Sequence, residues 1–195
     1  MSAGDPTHDL GDGFEDLHEI GRGGFSTVYG AIDTRMGRPV AIKVLRGDGE
    51  PADRSVFERE CRAMGILSQH PNIVTVYSEA DTVEGRPCLV MERYHGTYRQ
   101  RIADDGALAL SEVLDVGVKI AGALQAAHDS GVLHRDIKPH NIFVSDFGEP
   151  ALGDFGISSI DDDRPLTDAV AVSVAYCSPE VLDDEGATFL SDVYS

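Results

Sequence analysis

Acid–base and metal-binding side chains are concentrated in the octet HRDIKPHN at residues 134–141. It contains a carboxylate at Asp136, an amine at Lys138 and an amide at Asn141, and a second carboxylate follows at Asp154 within GDFG. A positioned carboxylate can accept a proton in a transition state, and carboxylate or amide oxygens suit a hard cation such as Mg2+. A lone Asp in a loop is usually a turn residue, so the interpretation as a catalytic centre depends on the whole octet.

A glycine-rich stretch, GRGGFSTV at residues 21–28, could contact phosphate groups. Backbone N–H groups at glycine approach an anion closely because no Cβ intervenes. A dinucleotide-binding fold would place a helix after these glycines, whereas FSTVYGAID has the composition of a strand, which argues against a Rossmann fold. On this stretch alone, a plain turn between two strands is an equally good explanation.

A lysine inside an apolar strand gives the glycine-rich stretch more weight. Lys43 ends VAIK, and a buried lysine is costly unless it is paired or bound to phosphate. The helical pattern that follows carries Glu60 on its inward stripe, with Val56 and Met64 one turn to either side. Either residue alone would ordinarily be a surface charge, but together Lys43 and Glu60 predict an ion pair.

The elements that must position these residues form an α+β pattern. Pro51 suits a helix entry, Ser111 an N-cap, and Gly131 a helix C-terminus. We predict a small antiparallel β-sheet with one inserted helix, followed by a mainly helical region. The strand patterns cover residues 14–24, 25–33, 39–45, 72–80 and 86–94, the helical patterns cover 50–70 and 111–131, and two short apolar runs lie at 142–144 and 151–153.

Taken in order along the chain, these motifs resemble those of the protein kinase family. The motifs are GRGGFSTV, with Ser26 where a third glycine usually stands, then VAIK, Glu60, HRDIKPHN, GDFG, SPE at 178–180 and DVYS at the end. The sequence around them is similar to bacterial, actinobacterial-type, eukaryotic-like serine/threonine protein kinases. The resemblance implies a bilobal protein-kinase-like fold, with a disordered leader at 1–12, a small ATP-binding lobe and hinge at 13–94, and a partial large lobe at 95–195.

The resemblance also assigns roles to individual residues. Asp136 would orient the substrate hydroxyl and accept its proton, with Lys138 beside it, and Asn141 and Asp154 would hold Mg2+. Lys43, held by Glu60, would neutralise the phosphates of ATP. The remaining residues expected to line the nucleotide site are Ile20, Gly21, Gly23, Val28, Ala41, Met91, Glu92, Tyr94 and Phe143.

Acceptor choice and regulation follow from the same resemblance. Lys138 and Ser173 resemble residues that mark serine/threonine kinases, so the expected acceptor is Ser or Thr in a protein, including this chain itself. Arg135 precedes the catalytic Asp and would bind a phosphorylated activation-loop residue, for which Thr167 is the candidate. A stacked internal spine is expected from Met64, Val76, His134 and Phe155.

Composition limits the remaining function classes. The formal net charge is −18, from 16 basic and 34 acidic residues, which argues against binding nucleic acid or an anionic membrane. Three scattered cysteines fit neither a disulfide framework nor a zinc site. No signal peptide or apolar run of about 20 residues is present, so a cytoplasmic location is expected.

The sequence ends at DVYS, early in what the resemblance identifies as the central helix of the large lobe. Glu180 would then lack its usual arginine partner and stay solvated or unpaired. Asp192 would brace the catalytic loop from below. The apolar residues expected to lose packing are Val181, Leu182, Phe189, Leu190 and Val193.

Three functions remain open at this point. The favoured one is an active serine/threonine protein kinase catalytic domain, truncated within the large lobe. The second is a catalytically inactive fragment that binds nucleotide or partner kinases. The third, a metabolite kinase on a related fold, is disfavoured by SPE and Lys138.

Overall fold

The computed structural model describes residues 10, 13–23, 26–46, 51–155 and 174–195. The chain divides into two compact units. The first unit comprises Met1–Cys61 and Thr75–Arg93, and the second comprises Arg62–Val74 and Tyr94–Ser195.

The first unit is built on a five-stranded antiparallel sheet in the order β1-β2-β3-β5-β4. Gly37 and Gly85 take φ values of 64° and 78° in the turns after β2 and β4, where residues with a Cβ would be strained. The strands are β1 (Phe14–Arg22), β2 (Ser26–Asp33), β3 (Arg38–Leu45), β4 (Val76–Asp81) and β5 (Pro87–Glu92).

Strand alternation gives this sheet two apolar faces. One face is a buried cluster made of Ala31, Val40, Ile42, Val44, Cys88 and Val90. On the opposite face, Leu45 and Leu89 pack against Phe57 and Cys61 of helix α1 (Pro51–Leu67). Because side chains alternate along a strand, Lys43 shares a face with Leu45, which is the face that α1 covers.

The predicted strand at 72–80 begins later than its composition suggests. β4 starts at Val76, and Ile73 instead forms an isolated parallel bridge with Leu152 in the second unit. The Asn72 side chain donates a hydrogen bond of 2.8 Å to the carbonyl oxygen of Pro150. Asn72, Ile73 and Val74 are therefore paired within the second unit.

The second unit combines a three-stranded sheet, in the order β6-β7-β8, with helices. A 3-10 turn at Val174–Tyr176 precedes the last two helices. The elements are β6 (Gly96–Thr97), α2 (Tyr98–Asp105), α3 (Leu110–Asp129), β7 (Ile142–Val144), β8 (Pro150–Leu152), α4 (Pro179–Leu182) and α5 (Phe189–Tyr194).

The ends of α3 were predicted with mixed success. The N-cap residue is Ala109, without a side-chain bond, so Ser111 lies in the first turn and the predicted cap is wrong. At the other end Gly131 has a φ of 75°, as a helix-terminating glycine requires. Its N–H donates to His128 and that of Val132 donates to Ala127, which completes a Schellman motif.

The predicted α+β class is confirmed by the five-stranded sheet, the single helix between β3 and β4, and the helices of the second unit. Within the described part of the chain, no helix combines the length and apolar character that a membrane span requires.

Candidate active site

Five predicted nucleotide-site residues lie on one face of the first unit's sheet. The strand register places Gly21 opposite Val28, and Val28 opposite Lys43. Two residues along β3, Ala41 lies opposite Met91 of β5. Directly paired residues and residues two apart point to the same side of a sheet. The glycine-rich segment, the lysine and the small apolar residues are thereby brought together.

The glycine-rich hairpin closes at Gly23, whose N–H donates a hydrogen bond of 2.9 Å to the carbonyl oxygen of Ser26. Ile20, another predicted nucleotide-site residue, lies just before it on β1 and is 45% exposed. An exposed isoleucine at this position is available to cover an apolar ligand group.

The predicted ion pair between Lys43 and Glu60 is confirmed: Lys43 Nζ donates to Glu60 Oε1. The two side chains are only 12% and 14% exposed, so each charge needs the other where water is scarce. The geometry follows from the shared face, because α1 packs beside Leu45 through Phe57 and Cys61.

The octet forms a closed local network around Asp136. The amide nitrogen of Asn141 donates to the Asp136 backbone oxygen at 2.7 Å and to its carboxylate Oδ2 at 2.9 Å. Lys138 Nζ lies 2.7 Å from the same Oδ2. The carboxylate is therefore held in one orientation by an amide and an ammonium group from its own loop.

Asn141 and Asp154 have the donor chemistry of a hard-cation site. Since the Asn141 amide nitrogen is turned to Asp136, its amide oxygen is directed elsewhere, as a metal ligand would require. The N–H of Gly153 donates to the backbone oxygen of Asn141 at 3.0 Å, which holds the residue before Asp154 beside the octet. These oxygen donors fit a divalent cation such as Mg2+.

The glycine of GDFG is sterically required. A Cβ at Gly153 would lie 2.6 Å from Val74 Cγ2 and 2.9 Å from Phe143 Cε2, closer than real contacts allow. Any other residue would displace the backbone that leads into Asp154. Asp154 itself takes a φ of 55°, a left-handed conformation that costs an ordinary residue about 1–2 kcal/mol.

The octet at residues 134–141 is braced from α5. Asp192, only 3% exposed, accepts hydrogen bonds from the backbone N–H groups of His134 at 2.8 Å and Arg135 at 2.7 Å. The predicted brace is therefore confirmed. A third partner, His128 of α3, lies 2.9 Å from the same carboxylate and was not predicted. Its place six positions before His134, at the same helix end as Gly131, is the signal that could have identified it.

His134 is fully buried and held as one neutral tautomer. Its Nε2 donates to the carbonyl oxygen of Gly153 at 3.0 Å, and its Nδ1 accepts from the backbone N–H of Asp136 at 3.2 Å. Its ring packs against Phe155 at a centroid distance of 4.6 Å. Burial lowers the pKa of His134 below its ordinary value, against opposing pulls from Asp192, Gly153 and the nearby carboxylates.

Two predicted nucleotide-site residues of the second unit are in contact. The rings of Tyr94 and Phe143 lie 5.8 Å apart in a tilted arrangement. In the first unit, the N–H of Glu92 donates to the carbonyl oxygen of Thr75, which fixes the end of β5. Of the predicted spine, His134 and Phe155 touch, Met64 is buried, and Val76 packs in the cluster under α1.

Glu180, which was expected to stay solvated or unpaired, is partly exposed and has a hydrogen-bond partner. Ser191 Oγ donates to its Oε1 at 2.5 Å, and this hydrogen bond is the main reason that the pKa of Glu180 is lowered. The expected exposure of apolar residues nearby is confirmed for Leu182, Phe189, Leu190 and Val193, while Val181 is half-buried.

The regulatory candidate Thr167 and the acceptor-selecting candidate Ser173 lie at 156–173, outside the residues that the structure describes. Their assignments remain predictions.

Comparison with known proteins identifies relatives over nearly the whole chain. The model of the family "Protein kinase domain" matches residues 14–195. Serine/threonine-protein kinase PknK of Mycobacterium tuberculosis is 47% identical over 193 residues, which is 97% of this chain and 17% of that protein. Probable serine/threonine-protein kinase PknB is 40% identical in Lactococcus lactis and 37% identical in Corynebacterium glutamicum, covering 94% and 95% of this chain. The chain spans 30% of the length of each of those two proteins.

Proposed function

The chain belongs to the protein kinase domain family, and from this premise we propose that it transfers the γ-phosphate of ATP to Ser or Thr hydroxyls of proteins. Its own chain is among the proposed acceptors. The observation that carries the proposal is the network of Asp136, Lys138 and Asn141, because phosphoryl transfer depends mainly on positioning and charge stabilisation.

Asp136 is the proposed catalytic residue that binds the acceptor hydroxyl and takes its proton. Asn141 and Lys138 hold the Asp136 carboxylate at 2.9 Å and 2.7 Å, so it meets the acceptor already oriented. Lys138 also places a positive charge next to the position where negative charge develops during transfer. His134 supports the same carboxylate indirectly, since its Nδ1 accepts the backbone N–H of Asp136.

Protein kinases in general use ATP with a divalent metal. We propose Mg2+ as that metal here, with Asn141 and Asp154 as its protein ligands. When bound, the ion supplies positive charge to the nucleotide phosphates. The proposed nucleotide residues of the first unit are Ile20, Gly21, Gly23, Val28, Ala41, Met91 and Glu92, with Lys43 directed to the phosphates and held by Glu60. Tyr94 and Phe143 are the proposed nucleotide residues of the second unit.

The proposed acceptor is a protein hydroxyl of Ser or Thr. Lys138 two positions after Asp136 favours this class, as do the relatives PknK and PknB, which are named serine/threonine-protein kinases. We further propose that Ser173 is the acceptor-selecting residue and that Thr167 and Arg135 form the regulatory pair. The proposed location is cytoplasmic.

Transfer from radiolabelled ATP to a general protein acceptor such as casein, followed by phosphoamino-acid analysis, tests the proposal. We expect labelled Ser or Thr, dependence on Mg2+, and a rate lower by about 10²- to 10⁴-fold in Asp136→Asn. ATP binding without transfer would favour the alternative of an inactive nucleotide-binding fragment. Labelled Tyr, or full activity in Asp136→Asn, would contradict the assigned roles.

A further inference from the structure

Arg46 connects two strands that are not neighbours in the sheet. It follows the last residue of β3, and its Nη1 donates a hydrogen bond of 3.0 Å to the carbonyl oxygen of Gly23, just after β1. In the order β1-β2-β3, strand β2 lies between them. The register pairs Ser26 with Leu45, so the chain leaves β3 at the level where the hairpin turns. The side chain therefore reaches across β2 to the glycine-rich hairpin.

Both backbone groups of Gly23 are engaged. Its N–H donates to the carbonyl oxygen of Ser26 at 2.9 Å, and its own carbonyl oxygen accepts from Arg46. A trans peptide unit is planar, so holding its C=O also holds the direction of the whole unit. A glycine has no Cβ to restrict its conformation, and here the Arg46 guanidinium supplies that restriction.

The other arginine of the hairpin has a different partner. Arg22 donates to Glu19 from Nε at 2.9 Å and from Nη2 at 2.5 Å, so it is paired within β1. The hydrogen bond from Arg22 is the main cause of the lowered pKa of Glu19, and the positive charge of Arg46 adds to it. Arg46 thus lies close to Glu19 but donates its hydrogen bond to the backbone of the glycine segment. The two arginines carry equal charge but have different hydrogen-bond partners, the Glu19 carboxylate for Arg22 and the Gly23 carbonyl oxygen for Arg46.

We propose that Arg46 is a positioning residue of the nucleotide site. It holds the backbone of Gly23, in the glycine-rich stretch, in the orientation that receives the phosphates of ATP. This inference rests on the proposed function, since it concerns the same nucleotide. Arg46 acts through the backbone of Gly23. It therefore affects the phosphate-bearing part of the ligand and leaves recognition of the adenosine part unchanged.

Binding of Mg-ATP and of adenosine to the chain, measured by isothermal titration calorimetry, separates the two contributions. Arg46→Ala is expected to weaken Mg-ATP binding by about five- to tenfold, the scale of one ordinary hydrogen bond, with adenosine affinity unchanged within about twofold. Arg22→Ala is the matched control, because it removes the same charge from the same hairpin but not the bond to Gly23. It is expected to change the ratio of the two affinities by less than about twofold.

Salt distinguishes positioning from simple attraction between charges. The effect of an exposed charge on ATP is screened at about 0.5 M salt, where the Debye length is only a few Å, whereas a fixed backbone orientation is retained. The ratio of wild-type to Arg46→Ala affinity should therefore persist at high salt. Arg46→Gln keeps a neutral hydrogen-bond donor, so its Mg-ATP affinity should lie between those of the wild-type chain and Arg46→Ala. It also provides a second variant if Arg46→Ala unfolds.

Four results would overturn the inference: an unchanged Mg-ATP affinity, an equal loss in Arg22→Ala, an equal loss for adenosine, or a loss that disappears at high salt. Each of these can occur while the wild-type chain binds and transfers phosphate, so the proposed function would stand. Failure of the wild-type chain to bind Mg-ATP would contradict the proposed function and this inference together.

Discussion

Asp192 Oδ1 accepts a hydrogen bond of 2.7 Å from the backbone N–H of Arg135, although the two residues are 57 positions apart. Arg135 has a φ of 66°, a left-handed conformation that costs an ordinary side chain about 1–2 kcal/mol. The other carboxylate oxygen accepts from His134. A residue on α5 thus stabilises the backbone that immediately precedes Asp136.

Replacing Asp192 by Asn should therefore both destabilise the chain and lower its activity. The neutral amide has one acceptor oxygen in place of two, so one buried N–H of the loop loses its partner. We expect the free energy of unfolding to fall by about 2–4 kcal/mol, measured by urea denaturation.

Asp183→Asn is the control for Asp192→Asn, because Asp183 is exposed at the end of α4. It should change the free energy of unfolding by less than about 0.5 kcal/mol. If Asp192→Asn were no more destabilising than Asp183→Asn, the bracing role of Asp192 would be wrong.

Acid should destabilise the chain through His134. Burial lowers its pKa in the folded state, so on acidification the unfolded chain binds a proton first. The stability that neutral His134 contributes is fully present above the ordinary histidine pKa of about 6.5. It is lost as the pH falls towards the folded-state pKa, by up to about 1.4 kcal/mol per pH unit. Urea denaturation between pH 7.5 and 5.0 measures the loss.

His134→Phe isolates this contribution from the other histidines. The phenyl ring keeps an aromatic contact with Phe155 but cannot be protonated. The variant should be less stable at pH 7.5, since the bond to Gly153 is lost, and its stability should fall less steeply with acid. Equal slopes in the two proteins would show that His134 does not titrate as described.

The pair between Lys43 and Glu60 could be predicted from the residues themselves, because an unpaired charge in an apolar strand is so costly that a partner can be inferred. The brace by Asp192 was predicted from the resemblance to protein kinases. The strands were predicted from short β-prone runs separated by turns.

Contacts that depend on neutral or weakly specific groups could not be predicted. Ser111 has a better N-cap side chain than Ala109, but α3 begins at Leu110 with Ala109 as its N-cap. Glu180 was expected to stay solvated or unpaired, because the sequence ends before its usual arginine partner. A serine gives no sequence signal for this role, yet Ser191 Oγ donates a hydrogen bond to Glu180. His128 was missed because a histidine near a helix end is ordinarily a favourable interaction with the helix dipole.

Breaking the α1 ion pair should reduce phosphate transfer. Glu60→Gln keeps the size of the side chain but removes the negative charge that pairs with Lys43 in a mostly buried position. We expect kcat/KM for ATP to fall by about 10²-fold, as for other small displacements of a catalytic group.

Glu58→Gln on the same helix is the control, because Glu58 pairs with Arg54 at a more exposed position. Its activity should stay within about twofold of the parent. Equal losses in Glu58→Gln and Glu60→Gln would indicate general damage to α1 instead of a role for the ion pair.

The three cysteines should differ in reactivity. Burial raises the pKa of Cys61 to about 12 and that of Cys88 to about 11, with smaller contributions from acidic residues that include Glu79 and Asp81. Each pKa unit lowers the reactive thiolate about tenfold. N-ethylmaleimide at pH 8 should therefore modify the half-buried Cys177 first in the native chain, and all three in urea, as read by peptide mass spectrometry.

Cys177→Ser tests whether Cys177 is the cysteine that N-ethylmaleimide modifies first. The native variant should take up the label only as slowly as unfolding exposes its two remaining thiols. Rapid labelling of Cys61 under native conditions would contradict the packing of α1 against the sheet, and rapid labelling of Cys88 would contradict the burial of the cluster on the opposite face.

We propose that the network around Asp136, with Asn141 and Asp154 as metal ligands, supports phosphate transfer. The intact mass of the chain after incubation with Mg-ATP, beside an Asp154→Asn variant, tests it most directly. We predict added phosphate on the parent chain and none on the variant. Phosphate on neither protein, or on both equally, would contradict the claim.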